Sequence, residues 1–276
     1  MTKFEAQAHA TDPEFLIALA TLAIDAGDVI MNYFGRDIVA ETKSDASPVT
    51  IADREAEAII TSGLQRIAPG VQVIGEEMCA EQMPSRLDDC FFLVDPLDGT
   101  REFIEGRTDF TVNIGLIYQL KPYAGVIFAP AHQALYISGA TSAHYVEPQS
   151  GTTLMWEDFT PISCRETMAT GLTVVASRSH KSPETEAYLA NLEVADHISA
   201  GSSLKFCLLA AGKADLYPRL GRTMEWDTAA GHAILQSAGG MVTDLEGQPL
   251  IYGKLDRGLD NPHFIAMARQ IAEITE

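Results

Sequence analysis

The segment Leu93-Val94-Asp95-Pro96-Leu97-Asp98-Gly99-Thr100 concentrates chemistry. An apolar run ends in two carboxylates three residues apart, followed by Gly-Thr. A carboxylate at the end of a buried strand is costly unless it is paired or bound to a cation. Two at this spacing can point into one pocket and hold a hard divalent metal through oxygen. Pro96 stiffens the turn between them, and Gly99 lets the backbone approach a ligand closely. A helix beginning at Gly99-Thr100 would offer free N–H groups to an anion beside the metal. Metal charge and amide donors together suit phosphoryl transfer, whose transition state is mainly charge to be stabilised. The plainer alternative for Asp-Pro-x-Asp-Gly-Thr is an Asp-Gly turn with a helix cap.

Three other segments add to this one. Ile74-Gly75-Glu76-Glu77 places a carboxylate pair directly after a strand-like run, although Gly-Glu-Glu alone is ordinary loop composition. Val49-Thr50-Ile51-Ala52-Asp53 puts Thr50 and Asp53 at the head of a helix, where a cap and a first-turn acid also suit the dipole. Glu225-Trp226-Asp227-Thr228-Ala229-Ala230-Gly231 has Asp227 opening a small-residue helix, as a ligand or as an N-cap. Trp226 reads as a packing residue.

The elements that must position these groups follow from periodicity. Thr11-Asp12-Pro13-Glu14 has a capping-box pattern with Pro in the first turn. Phe15, Leu16, Leu19, Leu22, Ala23, Ala26, Ile30 and Phe34 recur at helical spacing, with Gly35 as the stop. A polar loop over residues 41–48 precedes a second helix over residues 50–67, which Pro69-Gly70 ends. Strand-like runs follow at residues 71–74, 91–94, 111–118, 123–128 and 135–138, with a turn expected near Lys121-Pro122. Residues 142–167 read as irregular. A strand at residues 172–176, a helix at 203–211, a strand at 214–217 and a helix at 227–238 close the pattern. Helices lead, a meander follows, and alternating α/β units finish. The soft boundary near residues 145–170 gives two parts. They are an N-terminal α+β half, 1–150, carrying most candidate metal ligands, and a C-terminal α/β half, 151–276, completing the site.

Composition bounds the partners. The 276 residues carry 19 Lys and Arg against 38 Asp and Glu, a net charge of −19. That argues against a nucleic-acid polymer, which binds basic surface. A small phosphate ester needs only local positive charge or metal ions. Residues 1–12 lack the basic-then-apolar pattern of a signal peptide, and Asp25 and Asp28 interrupt the most apolar stretch short of a membrane span. A soluble, cytoplasmic protein is expected. Cys79, Cys90, Cys164 and Cys207 form no C-x-x-C pair, so reduced thiols are expected rather than a zinc site.

Taken in order, these segments resemble the inositol monophosphatase superfamily of Mg²⁺-dependent, lithium-sensitive phosphatases, across about residues 43–240. Within it, the chain looks most like the bacterial 3′(2′),5′-bisphosphate nucleotidase branch. Asp95-Pro96-Leu97-Asp98-Gly99-Thr100-Arg101-Glu102-Phe103-Ile104, Phe110-Thr111-Val112-Asn113-Ile114 and Ser177-Arg178-Ser179-His180 carry that likeness. So do Gly201-Ser202-Ser203-Leu204-Lys205-Phe206-Cys207, Leu216-Tyr217-Pro218-Arg219 and Trp226-Asp227-Thr228-Ala229-Ala230-Gly231-His232. The resemblance implies an α/β (α+β) fold, a layered α/β/α/β/α sandwich. It implies that Glu76, Asp95 and the Leu97 carbonyl hold one Mg²⁺. Asp95 would bridge to a second held by Asp98 and Asp227, and a third ion would lie near Glu76. Amides of Gly99 and Thr100 would bind the scissile phosphate. The Thr100 hydroxyl, bonded to Asp53, would orient the attacking water and help to deprotonate it. Lys43 and Asp45 would lie in a loop folded over the metals. Monomer and homodimer both occur among members.

Substrate choice turns on residues 216–227. Inositol-type members carry a Glu shortly before Trp-Asp; here Arg219 stands near that place, with slightly different spacing. Arg cannot accept hydrogen bonds from sugar hydroxyls but suits a second phosphate. Lys205 and Arg222 add positive charge. The expected substrate is adenosine 3′,5′-bisphosphate, a by-product of sulfate assimilation. Tyr217 is placed to line the nucleoside pocket or to pack at a strand end. Arg178 and His180 are candidates for phosphate contact; His232 reads as structural. The rivals are an inositol or histidinol monophosphatase, a fructose bisphosphatase, and a catalytically silent binding protein. The presence of Glu76, Asp95, Asp98 and Asp227 speaks against the silent protein.

Overall fold

The computed structural model describes residues 11–36, 40–42, 48–149, 151–166, 171–176 and 183–269. Helix α1 (Pro13–Tyr33) begins at Asp12, whose side chain accepts the Glu14 amide at 3.0 Å. The cap is thus Asp12 rather than the Thr-x-x-Glu box, because Asp12 lies directly against the first free amides. A short antiparallel pair, β1 (Glu41–Thr42) and β2 (Pro48–Val49), leads into α2 (Ile51–Ile67). Thr50 and Asp53 cap α2 reciprocally.

Strand β3 (Gln72–Gly75) is followed by α3 (Glu76–Glu81), and β4 (Cys90–Asp98) by α4 (Thr100–Ile104). Next come β5 (Thr111–Tyr118), β6 (Lys121–Ala129), β7 (Ala134–Ser138), β8 (Ala143–Val146) and β9 (Thr160–Ile162). These form a seven-stranded sheet in chain order, antiparallel except for the parallel pair β3–β4. The rest of the chain forms β10 (Leu172–Ala176), α5 (Pro183–Leu189), β11 (Val194–Ser199), α6 (Leu204–Ala210) and β12 (Leu216–Arg219). It ends in α7 (Ala229–Ser237), β13 (Met241–Asp244) and β14 (Phe264–Met267). The second sheet runs β11-β10-β12-β14-β13, with β10 parallel to β11 and β12.

Strand β4 shows why its sequence is apolar throughout. Phe92 and Val94 face the core under α1 and α2, while Phe91 and Leu93 face the core shared with α6 and α7. The layers are therefore α1 and α2, the first sheet, α6 and α7, the second sheet, and α5 on the outer face. This is the five-layer sandwich that the resemblance implies. Helix α7 sits unusually close to the first sheet. Gly115 and Gly125 pair across β5 and β6. A Cβ at Gly125 would lie 2.5 Å from the Ala230 carbonyl oxygen, and one at Gly115 would lie 2.8 Å from the Ala230 nitrogen.

Several local expectations are corrected. The β5–β6 turn is at Gln119-Leu120, both with positive φ, because Lys121 already pairs with Tyr118. The Asp89 carbonyl holds the Gln119 amide, and the Leu120 carbonyl holds the Tyr252 amide. The supposedly irregular 142–167 region supplies β8 and β9 to the first sheet. Helix α7 starts after Thr228, so Asp227 is not its cap. All four cysteines are free. Among the described residues, no helix is long and apolar enough to cross a membrane.

Candidate active site

The chemistry gathers where β4 leaves its ladder. Asp95 pairs with Asn113 and Asp98 with Thr111, so β4 carries one more residue than β5 between these pairs. Pro96 has no N–H to give to a ladder, which favours the bulge there. Asp95 is buried, and its Oδ1 accepts the Leu97 amide at 3.1 Å. Gly99 has φ +93, left-handed backbone that a side chain would strain. The chain then enters α4.

A hydrogen-bond chain links α2 to α4. Asp53 Oδ2 accepts the Thr50 amide at 2.8 Å and the Thr50 hydroxyl at 2.6 Å. The Thr100 hydroxyl lies 3.0 Å from both Asp53 Oδ1 and the Leu97 carbonyl oxygen. Asp53 is buried, whereas Thr100 is half-buried, so their contact lies at the edge of the interior.

Asp98 is held from β5 and from the Ser202-Ser203 pair ahead of α6. Its Oδ2 accepts from Ser202 Oγ at 2.7 Å, Ser203 Oγ at 2.8 Å and Asn113 Nδ2 at 3.3 Å. Ser202 has φ +49, which aims its hydroxyl at this oxygen. Ser203 Oγ also lies 2.7 Å from the Asp227 carbonyl. Asp227 Oδ2 accepts the Met224 amide at 2.9 Å. Burial pushes the Asp227 carboxyl pKa well above the usual carboxylate range, with Asp98 and Glu76 adding repulsion.

Asp98, Gly99, Lys205, Arg219 and Asp227 line one cleft of about 100 Å³, together with Glu102, Ser202, Tyr217 and Thr223. Lys205 donates to the Ser202 carbonyl, and its ammonium lies 5.2 Å over the Tyr217 ring. Burial lowers its pKa to about 8, against the opposing pull of Asp98. Arg219 donates to the Arg222 carbonyl at 3.0 Å, while its buried Nε has no hydrogen-bond partner among the described residues. A second cavity of about 610 Å³ adjoins at Tyr217 and Arg219, walled by Leu189, Val194, His197 and Pro218.

The carboxylates do not form a ready-made metal shell. Among the described residues, no three His, Cys, Asp or Glu side chains are arranged to hold a metal ion. Asp98 and Asp227 instead turn to serine, asparagine and amide donors. The donor set still fits a hard divalent cation: four carboxylates and the Leu97 carbonyl are all oxygen. Burial first, and then repulsion from Asp98 and Glu76, raises the Asp227 pKa, and positive charge would relieve the repulsion.

His232 is buried with Nδ1 3.0 Å from the Tyr252 hydroxyl, and burial lowers its pKa to about 3. It is a neutral structural residue. Lys43, Asp45, Arg178 and His180 lie outside the described residues. Sequence reasoning missed Asn113, Ser202 and Ser203 as partners of Asp98. The Gly-Ser-Ser ahead of α6 was the available signal.

The structure of inositol monophosphatase from Anabaena (Nostoc) sp. PCC 7120 shares this layering, with a TM-score of 0.69 at 26% identity, covering 92% of this chain and 90% of that one. The profile of the inositol monophosphatase family matches residues 12–275, and the chain belongs to that family. The 3′(2′),5′-bisphosphate nucleotidase CysQ of Shigella flexneri is 42% identical over 247 residues, 88% of this chain and 95% of that protein. CysQ of Escherichia coli strain K12 shows the same identity and coverage. The crystal structure of CysQ from Bacteroides thetaiotaomicron superposes with a TM-score of 0.77 at 36% identity, covering 94% of this chain and 99% of that one.

Proposed function

We propose that this protein is a Mg²⁺-dependent 3′(2′),5′-bisphosphate nucleotidase. It hydrolyses the 3′-phosphate of adenosine 3′,5′-bisphosphate to AMP and phosphate. The observation that carries the substrate is that Lys205 and Arg219 both line the cleft that Asp98 and Asp227 line. Two cations facing a site of carboxylates suit a second phosphate. The adjoining cavity of about 610 Å³ has room for a nucleoside, with Tyr217 at the junction. Likeness to CysQ proteins supports the same reading. At a net charge of −19 the partner is a small nucleotide rather than a polymer. The cytoplasm suits its free thiols.

Glu76, Asp95, the Leu97 carbonyl, Asp98 and Asp227 are the groups that would hold two Mg²⁺, with a third near Glu76. Bound Mg²⁺ supplies charge that acidifies water and stabilises the phosphoryl oxygens. The amides of Gly99 and Thr100 bind the scissile phosphate. With its proton directed to Asp53, Thr100 Oγ1 offers a lone pair that orients the attacking water and draws its proton towards Asp53. The water oxygen bonds to phosphorus as the P–O3′ bond breaks. The electron pair stays on O3′, which takes up a proton, and no covalent enzyme intermediate forms.

Phosphate release from adenosine 3′,5′-bisphosphate and from inositol 1-phosphate, compared in Mg²⁺ with and without lithium, tests this reading. A lithium-sensitive preference for the nucleotide is expected. Preference for inositol phosphate would refute the reading of Arg219, and silence on both would refute the bisphosphate substrate and call for a wider panel of phosphate esters.

A further inference from the structure

Glu57 lies one turn beyond Asp53 on α2, so both carboxylates project from the same face. Asp53 reaches Thr100 at the head of α4. Glu57, also buried, reaches the head of α3. Its Oε2 accepts the Glu77 amide and its Oε1 the Met78 amide, each at 2.9 Å. The turn before them leaves no slack. A Cβ on Gly75 would lie 2.2 Å from Glu57 Oε2, although Gly75 has ordinary extended backbone with φ −98 and ψ 154. Glu76 sits between these two fixed points. Its backbone is pinned by packing of Glu57 on Gly75 before it and by the bidentate carboxylate on Glu77 and Met78 after it.

We infer that Glu57 is a positioning residue for Glu76. It sets where the Glu76 carboxylate stands relative to Asp95 and Thr100, and so how tightly the site takes a divalent cation. Helix α2 thereby aligns two segments with carboxylates one turn apart: the catalytic hydroxyl through Asp53, and a metal ligand through Glu57. A short helix such as α3, six residues long, has little stability of its own, so its start is set by what holds its first amides. The inference rests on the proposed metal role of Glu76.

Two variants disturb the contact from opposite sides. Glu57→Gln keeps the volume and one acceptor but turns a donor towards the second amide. Gly75→Ala leaves the carboxylate in place chemically and displaces it sterically. Mg²⁺ binding to each protein is measured by calorimetry, and the Mg²⁺ dependence of turnover beside it. Both variants are expected to weaken Mg²⁺ binding and to raise its half-saturation by about tenfold, the usual effect of losing a group that orients a ligand. The kcat at saturating Mg²⁺ should stay within about threefold, since the reacting groups are retained. Ile60→Val, a core change on the same helix, serves as the control. It should lower the melting temperature without moving Mg²⁺ affinity. If both variants bind Mg²⁺ as wild type does and lose only stability, Glu57 is merely structural and the inference fails. If wild type itself binds no Mg²⁺, the metal reading of the site fails, and this inference with it.

Discussion

Asp95 is the carboxylate whose loss should cost most, because it would serve both metals from a buried bulge. Asp95→Asn is nearly isosteric and keeps an oxygen for the Leu97 amide, so the fold should survive. Turnover should fall well below about a tenth of wild type in a steady-state phosphate assay. A higher residual rate would remove Asp95 from the metal site. Lys205 gives a pH signature. Its pKa is lowered from 10.5 to about 8, chiefly by burial. Its charge therefore fades as pH rises through about 8, and kcat/KM for the bisphosphate should fall on that basic limb. Lys205→Gln should lower kcat/KM and abolish the limb. For stability the sign is opposite. Between about pH 8 and 10.5 the unfolded chain binds more protons at this position, so Lys205 makes folding more favourable as pH rises there. The acids of the site were legible in sequence because a buried carboxylate declares its need for a partner. Asn113, Ser202 and Ser203 were not. Ser202 acts on Asp98 from 104 residues away, and only the fold brings them together.

At the scale of elements, the paired glycines Gly115 and Gly125 seat α7 against the first sheet, and the turn containing Asp227 leads into α7. Gly125→Ala places a methyl 2.5 Å from the Ala230 carbonyl oxygen, a backbone atom that cannot swing aside. Overpacking of this kind should destabilise the protein by about 2 kcal/mol in urea unfolding. It should also lower turnover, because α7 must lift and carry Asp227 with it. Unchanged stability would mean that the seat is loose. Helices α1 and α2 and strands β4 to β6 were readable because their apolar residues repeat with clear periods or runs. Strand β11 carries no such signal, since it is an edge strand with mostly exposed side chains. Strand β9 is three residues long, too short to show a period. Asp227 read as a possible cap because Asp before a small-residue helix usually is one. Its carboxylate instead holds the Met224 amide of its own turn.

For the whole molecule, a net charge of −19, with Asp98 and Glu76 near enough to repel Asp227, sets a cost that cations relieve. Millimolar Mg²⁺ should raise the melting temperature over protein in chelator, because a ligand that binds only the folded state adds to its stability. An unmoved melting curve would count against the metal site. The sandwich also has a temporal consequence. The inner face of the first sheet, with Phe91, Leu93, Ile117 and Ile127, is covered by Phe206 of α6 and by Ile234 and Leu235 of α7. A ribosome has therefore released the whole seven-stranded sheet well before its lid exists. For the time it takes to translate the last third of the chain, one greasy side of the nascent protein stands open, and the contacts that close it join residues far apart in sequence. Slow codons or a stall in that interval would expose an aggregation surface that the finished enzyme never shows.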